Sequence, residues 1–262
     1  MKHKEGYFTG LKNYNIYFQC WLPKEDMRAV LLVAHGFAEH SGRYGNLVHY
    51  FVPRNFAVYA LDHRGHGKSD GARTQVDHFS DYISDLKTFF DIVRKEFPDE
   101  KIFLVGHSMG AGISTAYAIE YQNELVGLIL SGGGILSKKM FEKRMITGKP
   151  LDASTLSRDQ TVIHAYNNDP LVYRGPIMDR SSINESRELL SQRSNEITLP
   201  ILIMAGANPM IDDAKRSKAL YELVKSEDKT LKLYDNLLHE IFNEPEHEQV
   251  MSDMEKWLMN HL

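Results

Sequence analysis

Ser108 stands in the stretch VGHSMGAG, residues 105–112, where three glycines and an alanine surround one serine and one histidine. GHSMG fits the pattern GxSxG, and it lies between the apolar run IFLV and a helical pattern. That setting reads as a nucleophile elbow, a sharp strand-to-helix turn that lifts a serine oxygen clear of a sheet. Glycine at 106 and 110 lets such a turn pass close to neighbouring backbone, because no Cβ stands in the way. The start of a helix also presents free N–H groups and the positive end of its dipole, which favour an oxyanion. The chemistry on offer is therefore acyl transfer, with Ser108 Oγ attacking a carbonyl carbon.

A hydroxyl is a weak nucleophile near neutral pH, so Ser108 needs a positioned base, and the base needs a partner that fixes its tautomer. Of the 12 histidines, His239 stands where such a base belongs. It follows the last strand-like segment in LKLYDNLLHEIF and precedes the final helical pattern, which suits the chain order serine, acid, histidine. A second oxyanion donor is expected from the loop after the third strand. VAHGFAEHSGRY supplies it: His35 and Gly36 end an apolar run, so the N–H of Phe37 is expected beside that of Met109.

These groups need a scaffold, and the apolar pattern provides one. Strand-like segments occur at residues 5–9, 15–22, 29–34, 56–61, 102–106, 126–130, 200–205 and 230–234. Several are short and continuously apolar, as in AVLLVA and PILIMA, the appearance of buried parallel strands. Helical patterns lie between them at 43–52, 79–97, 109–121, 214–225 and 244–260. In the second of these, Ile83, Leu86, Phe90 and Val93 recur at helical spacing, while Asp85, Lys87 and Lys95 are expected on a solvated face. Strand and helix alternate, so a doubly wound α/β sheet is expected, its first two strands an antiparallel edge hairpin. From 131 to 198 no strand signal appears and the length far exceeds an ordinary connection, so this region reads as an insertion with short helices of its own.

Composition narrows the function classes. A net charge of -4, with Lys and Arg scattered, leaves no footprint for nucleic acid. The single cysteine, Cys20, reads as a packed strand residue. No HExxH or comparable spacing occurs among the loop histidines His35, His40, His63 and His66, so no metal and no cofactor is expected. GHGKSDG lacks the glycine spacing of a phosphate loop. No apolar segment follows the basic N-terminal residues, and a soluble, cytoplasmic protein is the expectation.

The segments HGFAEHSGRY, LDHRGHGKSDG, VGHSMGAG and SEDKTLKLYDNLLHEIFNEP together resemble the monoacylglycerol lipase and lysophospholipase branch of the α/β-hydrolase superfamily, and the likeness covers nearly the whole chain. The resemblance implies an α/β-hydrolase fold: one domain over residues 1–262, a mostly parallel eight-stranded sheet with helices on both faces, and a cap inserted at about 134–182. It implies a serine ester hydrolase acting on a monoglyceride, lysophospholipid or similar small acyl ester. In it Ser108 is the nucleophile, His239 the base, and Phe37 and Met109 the oxyanion donors.

One position departs from the family pattern. The acid normally stands three residues after the glycine that ends the seventh strand; that glycine matches Gly206, and the position holds Pro209. Asp212 or Asp213 could supply the carboxylate, Asn208 could orient His239 by hydrogen bonding alone, or no third member operates. Asp212 is the preferred candidate, with Asp212→Asn expected to cost far more activity than Asp213→Asn; its competing role is to cap the helical pattern from 214. A missing acid would favour a ligand-binding or regulatory protein with impaired turnover, and an acyltransferase would share the same acyl-enzyme. Within the insertion, ILSKKMFEKRMITG places Leu136 with Met140 and Phe141 with Met145 at i, i+4, flanked by basic residues. These are the expected acyl-contacting cap residues, on a segment suited to transient contact with a lipid surface.

Overall fold

The computed structural model describes residues 1–135, 152–175 and 181–262. Eight strands form one sheet: β1 Lys2–Thr9, β2 Asn15–Leu22, β3 Ala29–Ala34, β4 Phe56–Leu61, β5 Ile102–His107, β6 Gly127–Ser131, β7 Ile201–Gly206 and β8 Lys229–Tyr234. Their order is β1-β2-β4-β3-β5-β6-β7-β8. β1 pairs antiparallel with β2, and β2 antiparallel with β4; every later pairing is parallel. The edge hairpin and the doubly wound remainder agree with the alternation in the sequence.

The continuous apolar runs are explained by burial on both sides. In β3 every residue is buried, and alternate side chains join opposite cores. Val30 and Leu32 pack under the helices Phe79–Glu96 and Met109–Tyr121, while Leu31 and Val33 face Gly45–Phe51 and His247–Met259. Ile83, Leu86, Phe90 and Val93 all point into the first core, as their spacing implies. Asp85 does not sit on the solvated face. It is buried, because Arg64 Nε reaches its Oδ2 at 2.6 Å and Nη2 its Oδ1 at 2.8 Å, and the pair fixes the DHRGHG loop against this helix.

The connection from β6 to β7 carries the non-sheet material anticipated between 131 and 198. Its described parts include a 3-10 turn at Ala153–Thr155 and helices Gln160–Asn168 and Ser181–Arg193. The first two lie against the loops at the carboxyl end of the sheet: Glu240 N–H donates to Leu156 O at 2.7 Å, and Tyr173 N–H to Ala38 O at 2.9 Å. Leu136, Met140, Phe141 and Met145 lie outside the described residues. Among the described residues no helix is long and apolar enough to cross a membrane.

Candidate active site

β5 ends at His107, and the helix Met109–Tyr121 begins one residue later. Ser108 alone makes the turn, at φ 53° and ψ −113°, a conformation that non-glycine residues seldom adopt. Its surroundings hold it there. Ser108 N–H donates to Ser131 O at 2.9 Å, and Ala111 N–H reaches back to Ser108 O at 3.1 Å. The flanking glycines are a steric necessity: a Cβ at Gly106 would lie 2.5 Å from Gly110 O, and one at Gly110 would lie 2.1 Å from Ala34 O.

His239 comes from the loop after β8. Its Nε2 lies 2.8 Å from Ser108 Oγ, and its Nδ1 lies 2.5 Å from Asp213 Oδ2. A carboxylate can only accept, so Nδ1 carries the proton and Nε2 is left to accept from the serine hydroxyl. His239 and Asp213 are buried, whereas Ser108 is partly exposed. Ser108 is thus the member of the row that a ligand can touch.

The carboxylate beside His239 belongs to Asp213 and not to Asp212, the residue expected there. Asp212 stands just before the helix Asp213–Leu223, makes no side-chain cap, and points outward to Lys215 Nζ at 3.5 Å. Asp213, the first helical residue, turns inward instead. Successive residues at a helix start project about 100° apart, so only one of the two can face His239. Asn208 is also occupied elsewhere: its Oδ1 accepts from Met210 N–H at 3.0 Å, and its Nδ2 donates to Asn236 O at 3.1 Å. Pro209 is exposed on the same loop.

The loop after β3 lies against the elbow. A Cβ built on Gly36 would come within 3.2 Å of both Ser108 Cβ and His107 Cδ2. Phe37 and Met109, the expected oxyanion donors, are both partly exposed; Phe37 directly follows Gly36, and Met109 directly follows Ser108. Met109 is the first residue of its helix, so its N–H has no partner within the helix.

A buried ionic group joins this loop to the base loop. Glu39 accepts from Gly36 N–H at 2.5 Å, from Tyr44 Oη–H at 2.9 Å and from Arg43 Nε at 3.1 Å. Arg43 Nη2 then reaches both oxygens of Glu240, at 2.8 and 2.6 Å, and its guanidinium lies over the Tyr166 ring at 4.8 Å. Burial opposes ionisation of Glu39, but the positive charge that His107 takes up at low pH, the Arg43 guanidinium, His35 and the Gly36 N–H together outweigh it and carry the carboxyl down to about 2. Burial, together with the competing Glu39 charge, moves Glu240 upward despite Arg43. The residues of EHSGRY are legible as a motif; that Arg43, held by Glu39, binds the neighbour of the base is not, because Glu240 lies 197 residues further along the chain than Arg43.

Four histidines near the elbow are held neutral. Burial pushes His107 down to about 4 and His66 down to about 3, and lowers His35 and His63 as well. His107 lies ring to ring with His239, centroids 4.8 Å apart, and meets Ser131 Oγ at 3.1 Å. Among the described residues no cluster of His, Cys, Asp or Glu is arranged to hold a metal.

A strained serine at the head of a helix, an imidazole on its oxygen and a carboxylate behind that imidazole point to a serine hydrolase. The family model for the serine aminopeptidase S33 group (Hydrolase_4) matches residues 25–246. The chain belongs to this family. A monoacylglycerol lipase from Mycolicibacterium smegmatis is 35% identical over 97% of this chain and 96% of its own length. The human monoglyceride lipase is 31% identical, covering 87% of this chain and 81% of the relative. Among solved structures, a soluble variant of the Saccharomyces cerevisiae monoglyceride lipase superposes with a TM-score of 0.84 over 98% of this chain and 94% of that one, at 24% identity. The monoacylglycerol lipase of Paleococcus ferrophilus gives 0.75 over the whole of both chains, at 27% identity. The S33 member described here is a serine ester hydrolase of the α/β-hydrolase fold, similar to monoacylglycerol lipases.

Proposed function

We propose that this S33 hydrolase cleaves monoglycerides or lysophospholipids through an acyl-enzyme on Ser108, with His239 as base and Asp213 as the third member. The observation that carries the reading is the unbroken row Asp213, His239, Ser108, at 2.5 and 2.8 Å. As Ser108 Oγ bonds to the ester carbon, its proton passes to His239 Nε2, and Asp213 stabilises the imidazolium. The carbonyl oxygen becomes an oxyanion facing the N–H groups of Phe37 and Met109. His239 gives its proton to the departing alkoxide, and water drawn against the same imidazole then releases the acid. A carboxylate behind His239 favours turnover over the binding-protein alternative.

The similar lipases carry the substrate assignment, and the insertion serves it as a cap over residues 134–182. The described part of that insertion supports the role, because Leu156 hydrogen-bonds the base loop and Tyr173 the Phe37 loop. Its basic amphipathic segment, residues 136–145, is assigned transient contact with the lipid surface that delivers the ester.

A fluorophosphonate probe tests the nucleophile, and monoglycerides of increasing acyl length test the substrate. Ser108 is expected to label rapidly, Ser108→Ala not at all, and hydrolysis to exceed that of peptide amides. An unlabelled wild-type serine, or esterase turnover that survives Ser108→Ala, overturns the mechanism.

A further inference from the structure

Asp213 occupies an uncommon place for the acid of such a row. It is the first residue of an eleven-residue helix, not a member of the loop that precedes it. There the helix dipole favours its negative charge. One oxygen serves His239; the other, Oδ1, accepts from Arg216 Nη1 at 3.2 Å, three residues along the same helix. Both side chains are buried, 2% exposed for Asp213 and 7% for Arg216. A guanidinium on an exposed helix face would contribute little, but one confined beside a buried carboxylate restricts where that carboxylate can point.

The turn is anchored from a second side. Ile135 N–H donates to Arg216 O at 3.2 Å, and Ser217 Oγ donates to Gly133 O at 2.7 Å. A Cβ at Gly134 would lie 2.3 Å from the Arg216 carbonyl, so the strand β6 exit presses directly on this turn. The same exit reaches the base: a Cβ at Gly132 would stand 3.1 Å from His239 Nδ1. The segment 132–135 therefore sets the distance between the acid turn and the imidazole, and Arg216 is the residue of the turn that touches both the segment and the acid.

We infer that Arg216 is a positioning residue for catalysis: it holds the second oxygen of Asp213 so that the first stays aligned with His239 Nδ1. The role rests on the Ser108, His239 and Asp213 reading. The positive charge of Arg216 also moderates the pull of the carboxylate on the imidazolium. Among the described residues, the charged and titratable groups around the base include Asp213 and Arg216 from the helix, His107 from the elbow, and Glu240 with Arg43 and Glu39 from the adjoining loops.

The test measures kcat, KM and the pH profile of kcat/KM for Arg216→Met and Arg216→Lys, on protein shown to be folded by its melting curve. Arg216→Met is expected to lower kcat up to about 100-fold, the scale of a misplaced catalytic group, with KM nearly unchanged. The acid limb of its profile is expected to move to higher pH, because loss of the positive neighbour lets the carboxylate hold the imidazolium more tightly. Arg216→Lys keeps the charge and is expected to keep the limb in place while recovering only part of kcat, since an ammonium lacks the planar fork. An unmoved limb in Arg216→Met overturns the inference, as does a loss confined to KM. Should Arg216→Met fail to fold, the same limb shift is required of Arg216→Gln, which retains an amide donor without charge. Asp213→Asn separates the two levels. If it is nearly inactive while the Arg216 variants behave as wild type, only the role of Arg216 falls; if it retains full activity, the reading of the row itself falls.

Discussion

Strands β5 and β7 both run into a helix at the carboxyl edge of the sheet, and each crossing delivers one polar group to His239. The crossing after β5 is a single residue, Ser108, pinned at positive φ between two glycines that tolerate no Cβ. The crossing after β7 takes residues 207–212, and its polar group arrives only at the first helical position, Asp213. Where the backbone has one way to turn, the residue types announce the turn. Where it has six residues of slack, several side chains can reach the same point, and only the path of the chain selects among them.

The largest test of this contrast is made on the slack side. Asp213→Asn is expected to lower kcat by about 10⁴, because an amide supports the wrong imidazole tautomer and cannot stabilise the imidazolium. Asp212→Asn is expected to stay within about twofold, as befits an exposed neighbour. Steady-state rates on one short-chain ester decide it; equal losses in the two variants would mean that the loop, and not one carboxylate, is what the base requires.

The tight side is broken by volume. Gly110→Ala places a methyl group 2.1 Å from Ala34 O, an atom of a central strand that cannot step aside. The expected loss of stability is about 3 kcal/mol or more, read from urea unfolding. A variant as stable as wild type would show that the elbow has more room than its glycines imply.

A third test follows acidity. His107 and His66 have folded values of about 4 and about 3 against an ordinary 6.5, so in that window the unfolded chain binds protons that the folded one refuses. Their contribution is present above pH 6.5 and is lost as pH falls toward those values, at about 1.4 kcal/mol per pH unit for each histidine. Unfolding free energy measured between pH 7 and 4.5 is expected to fall steeply, and His66→Gln to flatten the slope. A flat wild-type curve would remove buried neutral histidines from the account of the elbow.

Strands were more open to reading than the contacts between elements. AVLLVA and PILIMA announce buried parallel strands because a strand covered on both faces needs apolar residues at every position, and both runs lie in the sheet. Asp85 misled for the opposite reason. Its place on the helix is correct by periodicity, but its partner Arg64 comes from another element, and pairing reverses the cost of burial. The same limit hid the Glu39, Arg43 and Glu240 group, a meeting of side chains from distant segments that local pattern cannot register. The Arg216 contact is an i, i+3 pair, and what the sequence left open was that this face of the helix turns inward.

Sequence alone determined the doubly wound sheet, the serine in its turn and the histidine after the last strand, because each is enforced by short-range sterics or by the order of elements. Tertiary structure alone decided that Asp213 and not Asp212 faces that histidine, and that a buried arginine stands behind it. Neighbouring residues at the start of a helix point in different directions. Which direction leads inward is set by how the helix docks against β6 and the base loop, a relation between segments far apart in the chain.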